Sequence, residues 1–265
     1  MSQNSAALAD KIELRNLDHS GSKIFGGKLI CGDCIEEMDR LPKASVQMVV
    51  TSPPYNLKNS TGNGMKDGRG GKWSSAALIN GYDSHDDTMP HSDYVAWQRR
   101  CLTSMMRLLP DDGAIFYNHK WRVQDGLLQD RQDIVGGFPV RQIIIWQRSG
   151  GINFNPGYFL PTYEVIYLIA KPKFRLAEKM NARGDVWTIA QARNNEHPAP
   201  FPVELATNCI EAVGRGPVLD PFMGSAPRPL RLIIWELSGS VLRSLRSIVT
   251  WPNRDLRRPL DELCY

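Results

Sequence analysis

Val46-Gln47-Met48-Val49-Val50-Thr51-Ser52-Pro53-Pro54-Tyr55-Asn56 is the stretch on which the fold turns. Val46 to Val50 is a continuous, largely β-branched run of the kind that forms a fully buried strand, and Thr51-Ser52-Pro53-Pro54 ends it. Outward from it, strands are expected at Lys28 to Cys31, Ala114 to Asn118, Val140 to Gln147, Tyr163 to Ala170 and Pro217 to Leu219. Helices are expected at Cys34 to Leu41, at Ser92 to Leu109 with Ser92 as N-cap, and at Phe201 to Val213; Asp125 to Ile134 also reads as helical. Strands alternating with helices predict an α/β, doubly wound, mostly parallel sheet with helices on both faces.

Two turns carry chemistry. In Ser52-Pro53-Pro54-Tyr55 the consecutive prolines fix φ and remove two donors, so the turn is stiff and its carbonyls point in set directions. An amino group on an aromatic base is a poor nucleophile, because its lone pair is delocalised into the ring. Acceptors from Ser52 and the Pro53 carbonyl can hold its two hydrogens, and Tyr55 can stack on a base taken out of a duplex. The competing reading is a bare strand-ending turn. The second turn, Asp220-Pro221-Phe222-Met223-Gly224-Ser225, places a carboxylate at a strand's C-terminal end before small residues, as an α/β ligand crevice requires; a capping Asp is the bland alternative.

Together these motifs closely resemble the β-type amino DNA methyltransferases. Gly32-Asp33-Cys34 matches that family's opening motif, Thr51 to Asn56 its catalytic motif, His197-Pro198-Ala199-Pro200-Phe201-Pro202 the segment before the cofactor strand, and Asp220 to Ser225 the start of the cofactor loop. The catalytic motif precedes the cofactor motif, which is the circularly permuted order. The resemblance implies the S-adenosylmethionine-dependent methyltransferase fold, S-adenosylmethionine as methyl donor, and double-stranded DNA as partner, with a cognate restriction endonuclease as a further one. It implies catalytic roles for Ser52, Pro53, Pro54 and Tyr55, and a cofactor site lined by Asp33, Asp220, Phe222, Gly224 and Ser225. Asp33 reads equally as a helix N-cap. Ser before Pro-Pro-Tyr leans towards N4 of cytosine, whereas the Asn56 that follows is common in N6-adenine enzymes.

DNA contacts are expected from Lys58, Lys66, Arg69 and Lys72 in a mobile, glycine-rich loop over 56–91, and from Lys173 and Arg175 in a candidate target-recognition segment over 171–196. A basic solvated loop is the alternative for both. No metal is expected: Cys31 and Cys34 have no second Cys/His pair at ligand spacing, and Asp83, His85, Asp86, Asp87 and His91 read as a solvated loop. His197 reads as structural. The five scattered cysteines fit a reducing, cytoplasmic setting, no apolar run is long enough for a membrane span, and no secretory signal is visible.

The chain divides into an arm over 1–27, a methyltransferase domain over 28–225 and an atypical tail over 226–265. The tail carries seven Arg and four acidic residues, so it supplies +3 of the net charge of +4. The family continues with Gly-Thr-Thr, a helix, and a strand ending in a ribose-binding acid; here Ala226-Pro227-Arg228-Pro229-Leu230-Arg231 follows, and its prolines break a helix. A frameshift accounts for this. Codons can be chosen for Gly-Thr-Thr-Ala-Val-Ala-Ala-His-Asn-Leu-Gly that, after loss of one G, read as residues 226–235, with Glu236 fitting the next. The C-terminal part is then incomplete, the strand expected at Leu230 to Leu237 need not pair properly, and activity is impaired. A DNA-binding remnant is therefore one alternative to an active enzyme. An RNA or protein amide methyltransferase is another, disfavoured by the permuted order.

Overall fold

The structure is a computed structural model that describes residues 11–17, 23–56, 89–124, 126–148, 153, 155–191, 202–222 and 231–237, with the backbone alone for 11–17, 23–29, 31, 124 and 231–237. Its strands are β1 (Lys11–Leu17), β2 (Lys23–Cys31), β3 (Met48–Thr51), β4 (Ala114–His119), β5 (Arg122–Gln124), β6 (Leu127–Gln129), β7 (Val140–Gln147), β8 (Tyr163–Ala170), β9 (Val186–Thr188), β10 (Val218–Asp220) and β11 (Arg231–Leu237). The α-helices are α1 (Cys34–Arg40), α2 (His91–Leu108), α3 (Gln132–Val135) and α4 (Val203–Val213).

Nine strands form one sheet in the order β1-β2-β11-β10-β3-β4-β8-β7-β9. β10, β3 and β4 are parallel neighbours, β7 pairs β9 in parallel, and β1, β11 and β8 run against their neighbours. The remaining six strands share one direction, so the sheet is mixed but mostly parallel. β3 and β10 lie far apart in the chain yet are adjacent, which brings the two turns that follow them together.

Strand alternation builds the two layers. Met48, Val50, Ala114, Phe116, Ile166 and Leu168 face α4, whose Leu205, Cys209 and Val213 are buried against them. Val49, Ile115, Tyr117, Val165 and Tyr167 face α1 and α2, where Met38, Tyr94, Cys101, Leu102 and Met105 complete the opposite core. Both faces of the parallel strands are covered, as their unbroken apolar runs require.

The arm holds β1 and the start of β2, an antiparallel edge hairpin. Several expectations change. α2 starts at His91 with Pro90 as its N-cap and no capping side chain, so the expected cap Ser92 lies inside the helix. The segment expected to be helical from Asp125 to Ile134 contains instead the end of the β5–β6 hairpin and the short α3. β11 does pair properly, antiparallel to both β10 and β2. Cys34 turns into the core, its Sγ 3.9 Å from Cys101 Sγ.

The lead into β10 is tightly fitted. Gly216 has φ +77°, and a Cβ there would stand 2.4 Å from Gln47 Cβ. Gly216→Ala should therefore destabilise the fold by more than about 1 kcal/mol, read as a lower urea midpoint; an unchanged midpoint would contradict this packing.

Candidate active site

The sheet's register gathers the turns at one edge. Leu29, Ile233 and Asp220 form one row across β2, β11 and β10, and Leu219 pairs with Val49. Asp33, Asp220, Thr51, Ser52 and Asn118 therefore all lie at or beyond the same edge, where the parallel strands end and the antiparallel β8 begins with Tyr163 and Glu164.

The turn from Ser52 to Asn56 is held from behind. Tyr94 Oη on α2 donates to the Pro54 carbonyl at 2.8 Å and lies 2.8 Å from His119 Nε2, while Gln98 Nε2 donates to the same carbonyl at 3.3 Å. Tyr117 Oη donates to Gln98 Oε1 at 2.7 Å, fixing that amide. His119 stacks on Tyr55 with ring centroids 4.8 Å apart. Burial, and then the nearby Arg131, hold the His119 imidazole well below its usual range, so a neutral ring stacks there. No donor among the described residues reaches the Pro53 carbonyl. Asn56 closes the turn in a left-handed conformation, φ 53°, and its amide donates to the Met89 carbonyl.

Around Ser52 there is a compact polar cluster. Ser52 Oγ and Tyr55 Oη are 2.7 Å apart, and Asn118 Nδ2 donates to Tyr55 Oη at 2.8 Å and reaches Ser52 Oγ and Glu164 Oε2 at 3.3 Å. Tyr55 Oη donates to Glu164 Oε2 at 3.4 Å, and Arg148 Nε stands 3.6 Å from Glu164 Oε1. Asn118, His119, Arg148 and Glu164 were not singled out from sequence; a single Glu before an apolar strand reads as a solvated strand end, and an Asn at a strand's end as a turn.

Asp220 connects the two turns. Its Oδ1 accepts from Thr51 Oγ1 at 2.7 Å and from the Phe222 amide at 3.0 Å. Burial pushes its carboxyl up to about 6, against the lowering effect of those two bonds. Phe222 packs on Trp97 of α2 with centroids 5.6 Å apart.

Asp33 caps α1, accepting from the Ile35 and Glu36 amides at 2.9 and 3.1 Å, so the capping reading describes its local role. Gly224 and Ser225, and Lys58, Lys66, Arg69 and Lys72, lie outside the described residues, as does His197. Lys173 and Arg175 are not brought to this edge. Lys173 pairs with Asp111 before β4, and Arg175 donates to the Phe174 carbonyl. Ala170 is level with Ala114, so that turn lies at the opposite edge, a strand length of about 17 Å away. Among the described residues of the expected recognition segment, Ile189, just after β9, returns to the edge that holds Ser52, its amide bonding the Gln147 carbonyl. Glu236 is level with Gly26 beyond the Trp235–Val218 pair, towards the far end of β10 from Asp220.

Comparison with known proteins decides the family. A DNA methylase model of the N6/N4 type matches residues 46–227, more than half of the chain. The chain belongs to the N6/N4 DNA methylase family. The Type II methyltransferase M.BglII of Bacillus subtilis is 24% identical over 239 residues, covering 74% of this chain and 59% of that protein. M.MjaVI of Methanocaldococcus jannaschii is 31% identical over 134 residues, covering 48% and 57%. The chain thus spans about six-tenths of the length of the curated relatives it matches. Among solved structures, the cytosine-N4-specific PvuII DNA methyltransferase superposes with TM-score 0.53 at 16% identity over 73% of each chain. A DNA modification methylase of Thermus thermophilus, solved with S-adenosyl-L-methionine, does so with TM-score 0.51 at 21% identity over 85% of this chain and 93% of that one. These likenesses show the fold, that of the S-adenosylmethionine-dependent DNA methyltransferases. Among the described residues, no helix is long and apolar enough to cross a membrane.

Thr51→Val removes the hydroxyl that lowers the Asp220 pKa and keeps the side chain's shape. The Asp220 carboxyl, followed by carbon-13 NMR, should then titrate above about 6; an unmoved titration would mean that the bond does not form.

Proposed function

We propose that this N6/N4 DNA methylase transfers a methyl group from S-adenosylmethionine to an exocyclic amino group in duplex DNA, with cytosine N4 as the target. The observation that carries the reading is the adjacency of Asp220 and Ser52 at the ends of parallel neighbours, coupled by the Thr51 hydrogen bond. We read the order of β3 and β10 in the chain as the circularly permuted arrangement.

The residues present fit the donor. Asp220 spends Oδ1 on the protein while Oδ2 takes no donor among the described residues, an arrangement suited to the methionine ammonium. Phe222, backed by Trp97, offers an apolar wall. When bound, S-adenosylmethionine supplies an electrophilic methyl on a sulfonium. Ser52 Oγ and the Pro53 carbonyl accept the two hydrogens of the amino group and favour its lone pair over ring conjugation. Tyr55 receives the extruded base beside them. The Ser hydroxyl in place of an Asp favours cytosine, in line with the family resemblance.

Phosphate contacts are assigned to Lys58, Lys66, Arg69 and Lys72, which follow the catalytic turn in sequence, ahead of Lys173 and Arg175 at the far edge. A cognate restriction endonuclease fits the Type II relatives, and the cytoplasm fits the DNA substrate. A second reading, an impaired enzyme with a frameshifted tail, is favoured by one observation: β11 fills the place beside β10 in the antiparallel sense, which carries Glu236 away from the cofactor edge.

Incubation with S-adenosylmethionine and duplex DNA, followed by nucleoside analysis, should yield N4-methylcytosine and none with Ser52→Ala. N6-methyladenine would correct the base, and no methylated nucleoside would favour the impaired reading.

A further inference from the structure

The methyl transfer proposed above leaves a proton to be removed. As the bond from sulfur to the methyl carbon breaks and the bond from nitrogen to carbon forms, the sulfonium becomes a neutral thioether and the nitrogen becomes cationic. Neutral product requires that nitrogen to lose one proton. Ser52 is the first acceptor in contact with it, but a hydroxyl can keep a second proton only by giving up its own.

The polar cluster has the direction this needs. For Ser52 Oγ to accept from the substrate, its own hydrogen must point elsewhere, and Tyr55 Oη is the neighbour at 2.7 Å. Tyr55 Oη in turn donates towards Glu164 Oε2 at 3.4 Å. The Asn118 amide orders the row: a carboxylate beside it demands the NH2 end, so Nδ2, not Oδ1, faces Glu164, Tyr55 and Ser52. Glu164 is buried, 9% exposed, and Arg148 is the cation beside it. A carboxylate enclosed in this way is costly unless it has a task or several partners.

We propose that Glu164 is the terminal acceptor of the proton released on methylation, reached through Ser52 and Tyr55. This rests on the amino-methyltransferase reading. In one concerted shift, the amine proton passes to Ser52 Oγ, the Ser52 proton to Tyr55 Oη and the Tyr55 proton to Glu164 Oε2. Each hydroxyl gains one proton and loses one, the cationic nitrogen becomes neutral, and Glu164 is the one protein group of the relay that changes charge. Arg148 holds the carboxylate in place, and Asn118 keeps the three oxygens in line. Glu164 touches no substrate atom and acts through Tyr55.

The test is single-turnover methylation of duplex DNA by the wild-type chain, Glu164→Gln, Tyr55→Phe and the double variant, with melting curves for each. Each single change should lower the transfer rate about 100-fold, the scale of general-base assistance, with KM for DNA and for S-adenosylmethionine within about threefold. The double variant should be no slower than either single one, because both break the same path. Glu164→Asp, which keeps a carboxylate, should recover most of the rate. Multiplying losses in the double variant, or Gln and Asp variants equally impaired, would reduce Glu164 to a packing role and overturn the relay. Should Glu164→Gln fail to fold, Tyr55→Phe decides alone, since it keeps the ring and its stack: a rate within about threefold of wild type excludes the path. An inactive wild-type chain removes the parent reading and the relay with it; an active one with an unaffected Glu164→Gln removes the relay only.

Discussion

The site depends on a hydrogen bond between Thr51 Oγ1 and Asp220 Oδ1, 2.7 Å long. It joins the ends of two strands that are neighbours in the sheet and remote in the chain. β3 and β10 pair in parallel only through Met48–Val218 and Val49–Leu219, after which the two chains separate into their turns. The bond continues the register past the last backbone pair. It thereby fixes the distance between the residue suited to holding the methyl donor and the one suited to holding the acceptor. Methyl transfer requires that distance to be set before the reactants arrive, because a displaced near-attack geometry costs orders of magnitude in rate. Burial makes the same bond matter electrostatically, since a carboxylate enclosed at a strand end is biased towards its neutral form unless donors hold it.

A second set of constraints works from the other side of the turn from Ser52 to Asn56. The two prolines leave Pro53 and Pro54 without amide donors, so the turn cannot be tied down by its own backbone nitrogens. α2 supplies the missing partners through Tyr94 and Gln98, both anchored in a buried polar chain that runs to Tyr117 and His119. Such networks are costly if half satisfied and rigid if complete. Here they hold the Pro54 carbonyl and leave the Pro53 carbonyl without a donor among the described residues. The division of labour between Pro54, which is used structurally, and Pro53, which is not, is visible only once α2 is placed.

Much of this was legible in the sequence where the signal is periodic and long. β3, β7, β8, α2 and α4 follow from unbroken apolar runs or helical spacing, and the two motifs located the strand ends that meet. The β5–β6 hairpin was not legible: Leu127 and Leu128 are apolar yet exposed, and a short solvated hairpin with such residues has a helix-like pattern. Pairing of β11 was unexpected because a tail foreign to the family pattern still offers Leu232, Ile233 and Ile234, enough β-propensity to fill a sheet position in either sense. The charges of Lys173 and Arg175 were read correctly as basic, but their position depends on the direction of β8, which composition cannot give. Glu164 and Asn118 belong to the same class: they meet Ser52 and Tyr55 through long-range register, not through any local motif.

The central claim, that Asp220 holds the methionine ammonium of S-adenosylmethionine, is tested most directly by calorimetric titration of that cofactor into the protein across the pH range around 6. The ammonium needs the ionised carboxylate, and burial has raised the Asp220 pKa to about 6. Affinity should therefore be weak below that value, rise through it with proton release on binding, and level off above about pH 7, and Asp220→Asn should abolish the rise. Binding independent of pH and indifferent to Asp220→Asn, or no binding at any pH, would contradict the account.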